Sequence, residues 1–439
     1  MEGQFEPVIR EKIALEVETQ PPVLTRRNAS PAPVQGKAQA VIGMRRAGKT
    51  SLLHQIRGDL LAAGRTANRL VYFNFEDERL AGLQAPQLHL IPETHLRLFP
   101  EPADEPVTLF LDEIQSVDGW ETFVRRLLDT PGYEIFLSGS SAKLLSREIA
   151  SSMRGRGWEI AIHPFSFVEF LRHHKEEAPA DIARITSKTR TALDHHFSRY
   201  LEIGGFPEAQ ALQATHRRQL LQGYVDVLLL RDVIERHRIS NVTALRWLVR
   251  RLLGSPAGLF SVTKFAADLK SQGIPVSRDH LYEFLAHLED AFLLQTIPVA
   301  TDSEKRRQVN PRKAYPADPA LIPVFDRSGK ANTGHALESV VFTELQRRGA
   351  EIAYVKTANG FEVDFLARHT DGGEELIQVC ASIDDPDTRE REIRSLQESA
   401  KEHPRAKPRI LTLESRLPYP AIPKEIEVMP AWAWMMTSA

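Results

Sequence analysis

The chain has 439 residues, enough to build cores for roughly two to four domains rather than one. Its formal net charge of −2 excludes a globally basic nucleic-acid binder, so any basic surface must be local. The single cysteine, Cys380, excludes an intramolecular disulfide framework and fits a reducing compartment. The opening MEGQFEPVIREK is too polar for a secretory signal, and no apolar run approaches the about 18 residues needed to span a membrane. A soluble, cytoplasmic protein with no membrane partner is therefore expected, beginning with a helical segment over 1–35.

The first apolar run, Ala38 to Ile42, reads as a strand, and Ser51 to Ile56 reads as a helix. Between them, Gly43-Met44-Arg45-Arg46-Ala47-Gly48-Lys49-Thr50 fits the phosphate-loop pattern GxxxxGK[ST] in the strand-loop-helix context that gives the pattern meaning. Glycines at 43 and 48 let the backbone wrap close to phosphate oxygens. Amides from Arg46 to Ser51 at a helix N-terminus supply partial positive charge, and Lys49 adds a full one. The Thr50 hydroxyl is placed to hold Mg²⁺, so ATP and Mg²⁺ are the expected ligands.

Arg69 to Asp77 reads as a second apolar strand running into polar residues. Val107-Thr108-Leu109-Phe110-Leu111-Asp112-Glu113 is a buried strand ending in two acids. Asp112 is expected to hold Mg²⁺ through water and Glu113 to polarise the attacking water, which points to hydrolysis rather than binding alone. Tyr133 to Ser141 reads as a further strand, in which Ser138, Ser140 and Ser141 either sense the γ-phosphate or the water, or simply end the strand in a turn. Strands alternating with helices imply an α/β fold with a parallel sheet and ligands at the carboxyl ends of the strands.

After Ser151-Ser152-Met153-Arg154-Gly155-Arg156-Gly157-Trp158 a strand covers Glu159 to Ile162, and this order of parts resembles AAA-type ATPases. The resemblance implies a homo-oligomer, with a hexameric ring as one form, in which Arg154 or Arg156 reaches a neighbour's nucleotide; a salt-bridged basic loop is the other reading. More narrowly, this region, His163-Pro164-Phe165-Ser166-Phe167 and Tyr200 to Glu208 resemble the prokaryotic AAA-family ATPases with a C-terminal domain of unknown function, over nearly the whole chain. On that basis the ATPase core is expected over 36–172 and a helical lid over 173–258. Gly204-Gly205-Phe206-Pro207 is also similar to the glycine-proline turn of signal-transducing ATPases, which makes Pro207 a candidate adenine contact, or else part of a plain interhelical turn.

A winged helix-turn-helix is expected over 259–330, from a helix at Ser261 to Leu269, a Ser277-capped helix to Asp290, and strands at Leu293 to Val299 and Ala314 to Pro316. The connection between those strands carries Lys305, Arg306, Arg307, Arg312 and Lys313, a candidate DNA-backbone contact. The helix itself carries Asp279, Glu283, Glu289 and Asp290, which suits a protein partner better.

Over 331–439 a helix holding Glu338, a strand holding Asp364 and a paired strand resemble the PD-(D/E)XK nuclease core, so a small α/β restriction-endonuclease-like domain is expected. The third motif departs from that core. Gln378-Val379-Cys380 stands where an acid, any residue and a lysine belong, and Lys356 is the nearest substitute. An amide is a weak Mg²⁺ ligand and a thiol cannot replace the lysine, so nuclease activity is not expected. Two roles compete for the whole chain: an ATPase acting on DNA or a DNA-bound partner, and a nucleotide-dependent switch that assembles proteins.

Overall fold

The computed structural model describes residues 4–32, 34, 36–100, 105–139, 155–326, 332–415, 419 and 422–437. The chain forms two compact units, Met1–Ile162 and His163–Ala439. Among the described residues no helix is long and apolar enough to cross a membrane.

In the first unit the apolar runs become five parallel strands: β1 (Ala38–Ile42), β2 (Leu70–Asn74), β3 (Val107–Asp112), β4 (Tyr133–Gly139) and β5 (Gly157–Ala161), in the order β2-β3-β4-β1-β5. All six residues of β3 are buried, which is why it reads as a continuous apolar run instead of an alternating one. Helices connect β1 to β2, β2 to β3 and β3 to β4. In Trp120–Leu128 the buried residues Trp120, Phe123, Val124 and Leu127 fall three and four apart, the stripe a helix needs to cover a sheet. The N-terminal helix Glu6–Glu18 buries Ile9 and Ile13 on one face and packs on β2.

The second unit opens with helices Phe167–His173, Ser187–Ile203 and Ala214–Leu228, the last continuing through a π-helical turn, Leu229–Glu235, before helix Val242–Gly254. The first of these starts with a reciprocal cap between Ser166 and Glu169. A small antiparallel sheet follows, β6 (Leu259–Phe260), β7 (Leu294–Ile297) and β8 (Arg312–Pro316), ordered β6-β8-β7. It frames helices Val262–Ser271 and Arg278–Asp290, capped by Ser261 and by Ser277, the latter at the position the sequence marks.

The last part is a mixed sheet of β9 (Glu351–Lys356), β10 (Glu362–Arg368), β11 (Glu374–Cys380), β12 (Lys407–Thr412) and β13 (Glu427–Pro430), ordered β13-β12-β11-β10-β9. Strands β9 to β11 run antiparallel, whereas β11 to β13 run parallel because the helix Pro386–Glu402 carries the chain across between β11 and β12. Helix Thr333–Arg347 packs on this sheet, and the apolar tail forms helix Ala431–Met436, with Trp432 and Trp434 buried in the same core. Tyr354 of β9 exchanges backbone hydrogen bonds with Pro298 and Ala300, which joins the mixed sheet to the end of β7.

Candidate functional site

The phosphate loop leaves β1 and enters the helix Lys49–Ala62, so its amides lie at a helix N-terminus. Both glycines are required by geometry. Gly43 has φ +153, and a Cβ there would lie 2.2 Å from the Ile162 carbonyl oxygen. Gly48 has φ +105, and a Cβ there would lie 2.7 Å from Nη1 of Arg27. Arg46 also holds positive φ, at 67°, with its side chain exposed. Lys49 is buried, and its Nζ donates to the carbonyls of Gly43 and Met44 at 3.2 and 3.3 Å, across the mouth of the loop.

Asp112 ends β3 directly opposite. Its Oδ2 accepts from the Thr50 hydroxyl at 2.8 Å and from the Tyr72 hydroxyl at 2.6 Å, and its Oδ1 accepts from Ser138 at the end of β4. The three partners are neutral hydroxyls, donors that orient the carboxylate oxygens. Tyr72 in turn has its phenol pKa raised well above the usual value, by burial first and by Asp112 second. The donor set of Thr50 and Asp112 fits Mg²⁺, and Thr50 is exposed on the loop side.

Glu113 follows in a left-handed backbone conformation, φ 55° and ψ 41°, which costs a non-glycine residue about 1–3 kcal/mol. The Glu113 amide donates to Ser138 Oγ at 3.1 Å, while its carboxylate accepts from the Gln115 amide. Burial raises its pKa, and the nearby Lys49 charge partly opposes that rise. A buried carboxylate with a raised pKa beside a cation is a competent proton acceptor for water.

Sequence reasoning missed Arg27. The Gln55 side chain brackets its backbone, accepting from the Arg27 amide at 2.6 Å and donating to its carbonyl at 3.1 Å, so the segment after the first helix lies along the phosphate-loop helix. There the buried guanidinium donates to the Ala47 carbonyl at 2.8 Å. Arg26 adds a two-armed ion pair to Asp59 of the same helix, at 2.7 and 2.9 Å. No local pattern marks a supporting arginine twenty residues ahead of its partner.

Arg156 lies just before β5, partly exposed and paired with Asp129. Ser140 and Arg154 lie outside the described residues. Ser51 is half-buried on the first turn of the phosphate-loop helix. Pro207 is half-buried in the second unit and opens a short 3₁₀ turn. The preceding glycines have a packing role. At Gly204 (φ +71) a Cβ would lie 1.8 Å from Asp318 Oδ1, and at Gly205 it would lie 2.4 Å from the Phe165 carbonyl oxygen. Asp318 is buried, accepts from the Gly205 and Ala320 amides at 2.7 and 2.9 Å, and has its pKa raised by burial to about 7.

The five cations expected on one wing are divided. Lys305 and Arg306 are exposed on a short helix, Glu304–Val309, where a loop was expected. Arg307 pairs with Glu351 at 3.6 Å, and Arg312 lies half-buried with Nη1 3.4 Å from the Thr296 hydroxyl. Lys313 corrects the expectation outright. It is buried on β8, two positions before Tyr315 and on the same strand face, and its Nζ lies 2.9 Å from Asp364, 3.0 Å from Glu362 and 3.3 Å from Glu338. The Tyr315 hydroxyl donates to the same Glu338 oxygen at 2.7 Å. Burial alone would lower the Lys313 pKa, yet the three carboxylates hold it above the ordinary lysine value. Glu338 is raised by burial and then by Asp364.

An AAA domain model matches residues 35–171, and a domain of unknown function, DUF8612, matches residues 194–329. The uncharacterized protein MJ1544 of Methanocaldococcus jannaschii is 34% identical over 415 residues, covering 92% of this chain and 89% of its own. An uncharacterized protein of Haemophilus influenzae is 31% identical over 360 residues, covering 80% and 83%. Among solved structures, the Walker-type ATPase PABY2304 of Pyrococcus abyssi aligns over 72% of this chain and 94% of its own, at 15% identity and a TM-score of 0.41.

Proposed function

Since the chain belongs to the same family of AAA-domain proteins as MJ1544, we propose that it is an oligomeric ATPase that hydrolyses MgATP to remodel or move along DNA, or to act on a DNA-bound partner. The observation that carries the hydrolytic part is the meeting of Thr50 and Asp112 at 2.8 Å with Glu113 next in the chain, held beside Lys49. Bound Mg²⁺ supplies charge neutralisation for the phosphates. The loop amides and Lys49 bind and orient the β- and γ-phosphates. Asp112 and Thr50 hold the cation, and Glu113 takes the proton of the attacking water. Arg156 or Arg154 completes a neighbouring copy's site, its guanidinium meeting the charge that develops on the transferred phosphoryl group.

The exposed pair Lys305 and Arg306 supports a DNA contact, and the winged-helix reading of the helices around β6 to β8 gives that pair a place to work. A second reading, the protein-assembly switch, draws on the helix Arg278–Asp290, whose exposed residues include Asp279, Tyr282 and Glu283. With Asp279 and Glu283 against Arg278, that face suits a protein better than a phosphate backbone.

ATP turnover measured with duplex, single-stranded and branched DNA, at low and moderate salt, separates the readings, with Glu113→Gln as control. Stimulation that fades with salt and vanishes in the variant is expected of the DNA-directed ATPase. Turnover indifferent to every DNA replaces it with the switch.

A further inference from the structure

The mixed sheet carries its own acidic centre, remote in sequence from the nucleotide site. Glu338 comes from the helix Thr333–Arg347, Glu362 and Asp364 come from β10, and Gln378 comes from β11. In the nuclease-like fold expected from the sequence, such a centre holds a divalent cation, so the residues can be tested against one.

They do not fit. Mg²⁺ needs oxygen ligands at about 2.0–2.1 Å in a near-octahedral set, with carboxylates free to supply them. The Lys313 side chain, only 4% exposed, brings its ammonium within 3.3 Å of all three carboxylates. Asp364 has its second oxygen engaged as well, accepting from the Val379 amide at 3.0 Å. Glu338 Oε1 is shared between Lys313 and Tyr315. Two further candidates remain: Gln378 is neutral and its Oε1 accepts from the Asp364 amide at 3.4 Å, and the buried Glu392 has its carboxylate paired with Arg391. Among the described residues, no group of three or more His, Cys, Asp or Glu is placed to hold a metal ion.

We propose that the Lys313 ammonium is the resident cation of this centre, occupying from within the chain the place a divalent metal would take. The centre is then a latch and not a hydrolytic site. It ties β8 of the small sheet to the helix and strand of the mixed sheet, with the charge donated by the protein itself. The lysine missing from the third motif has no vacancy to leave, because a lysine from another strand already faces Asp364. An ammonium satisfies several carboxylates with three donors and needs no open coordination position.

The test is Mn²⁺ binding by the nucleotide-free full-length chain, followed by electron paramagnetic resonance, with Asp364→Asn as the difference control. Wild type and Lys313→Arg are expected to show no Mn²⁺ site that Asp364→Asn removes. Lys313→Met is expected to gain one, with affinity at least about tenfold above wild type because a like charge has left the site, and Asp364→Asn in that background should abolish it. Added Mn²⁺ should raise the melting temperature of Lys313→Met and leave wild type unmoved. An Asp364-dependent Mn²⁺ site in wild type overturns the proposal, as does a folded Lys313→Met that gains none. Should Lys313→Met fail to fold, the wild-type and Lys313→Arg titrations decide the matter alone.

Discussion

Two acidic centres in this molecule are built from the same kinds of residue and arrive at opposite states. At the end of β3, Asp112 is surrounded by the hydroxyls of Thr50, Tyr72 and Ser138, donors that carry no charge of their own. At β10, Asp364 faces an ammonium at 2.9 Å and a backbone amide at 3.0 Å. Hydroxyl partners keep an acid available to a ligand, whereas a buried lysine consumes it. Acids on a strand therefore do not define a metal centre; the charge of what surrounds them does.

The largest effect that would sharpen this contrast is expected at Glu113. Removing a positioned general base costs about 10²- to 10⁴-fold in kcat, so Glu113→Gln should lose turnover on that scale while equilibrium binding of a fluorescent ATP analogue persists. Retained turnover would mean that the first centre does not act as read. At the second centre the corresponding change is Lys313→Met, which leaves buried carboxylates without their cation. Chemical denaturation should show a loss of about 3–5 kcal/mol, against a small change for Lys313→Arg. A loss below about 1 kcal/mol would remove the contrast, because the lysine would then be a surface-like pair.

How much of each centre the sequence displays follows from the distances its contacts span. The phosphate loop is read whole because one strand, one loop and one helix start build it within a few residues. Asp112 and Glu113 are read because an apolar strand with an acidic end is a local pattern. Ser277 announces its helix in the same way. Lys313, by contrast, meets Glu338 and Asp364 across 25 and 51 positions. In sequence it belongs to a run of cations, and only its burial on β8 separates it from Arg306, exposed on the short helix before that strand. Arg27 is hidden for the same reason. The paired glycines at 204 and 205 are visible as a turn, but the buried Asp318 that presses on them lies 113 positions away from Gly205.

Asp318 allows a pH test of intermediate size. Its folded pKa, about 7, stands above the ordinary aspartate value because burial disfavours the charge. A carboxyl raised in the folded state binds its proton more tightly there than in the unfolded chain, so stability falls as pH rises from about 4 towards 7. Denaturation midpoints of the wild type should drift downward over that window, by roughly 2–4 kcal/mol in total. In Asp318→Asn this contribution should disappear, with a fixed cost from the accepting oxygen lost at Gly205 or Ala320. An unchanged slope would assign the drift to other groups.

The smallest effect is expected where an acid has solvent on one side. Asp129 pairs with Arg156 while both are roughly half exposed. Exposed pairs contribute about 0–1 kcal/mol, so Asp129→Asn should unfold within that margin of the wild type and hydrolyse ATP at the same rate. This small effect makes Arg156 informative. Because its intramolecular partner contributes so little, Arg156→Ala should also be stable, and a loss of turnover in it would have to come from work done elsewhere. Mixing Arg156→Ala with Glu113→Gln chains then reads that work directly. Turnover regained in the mixture, above the sum of the two variants alone, is expected if Arg156 serves a neighbour's nucleotide, because one pairing unites an intact arginine with an intact Glu113. Turnover that stays additive would confine Arg156 to its surface pair with Asp129.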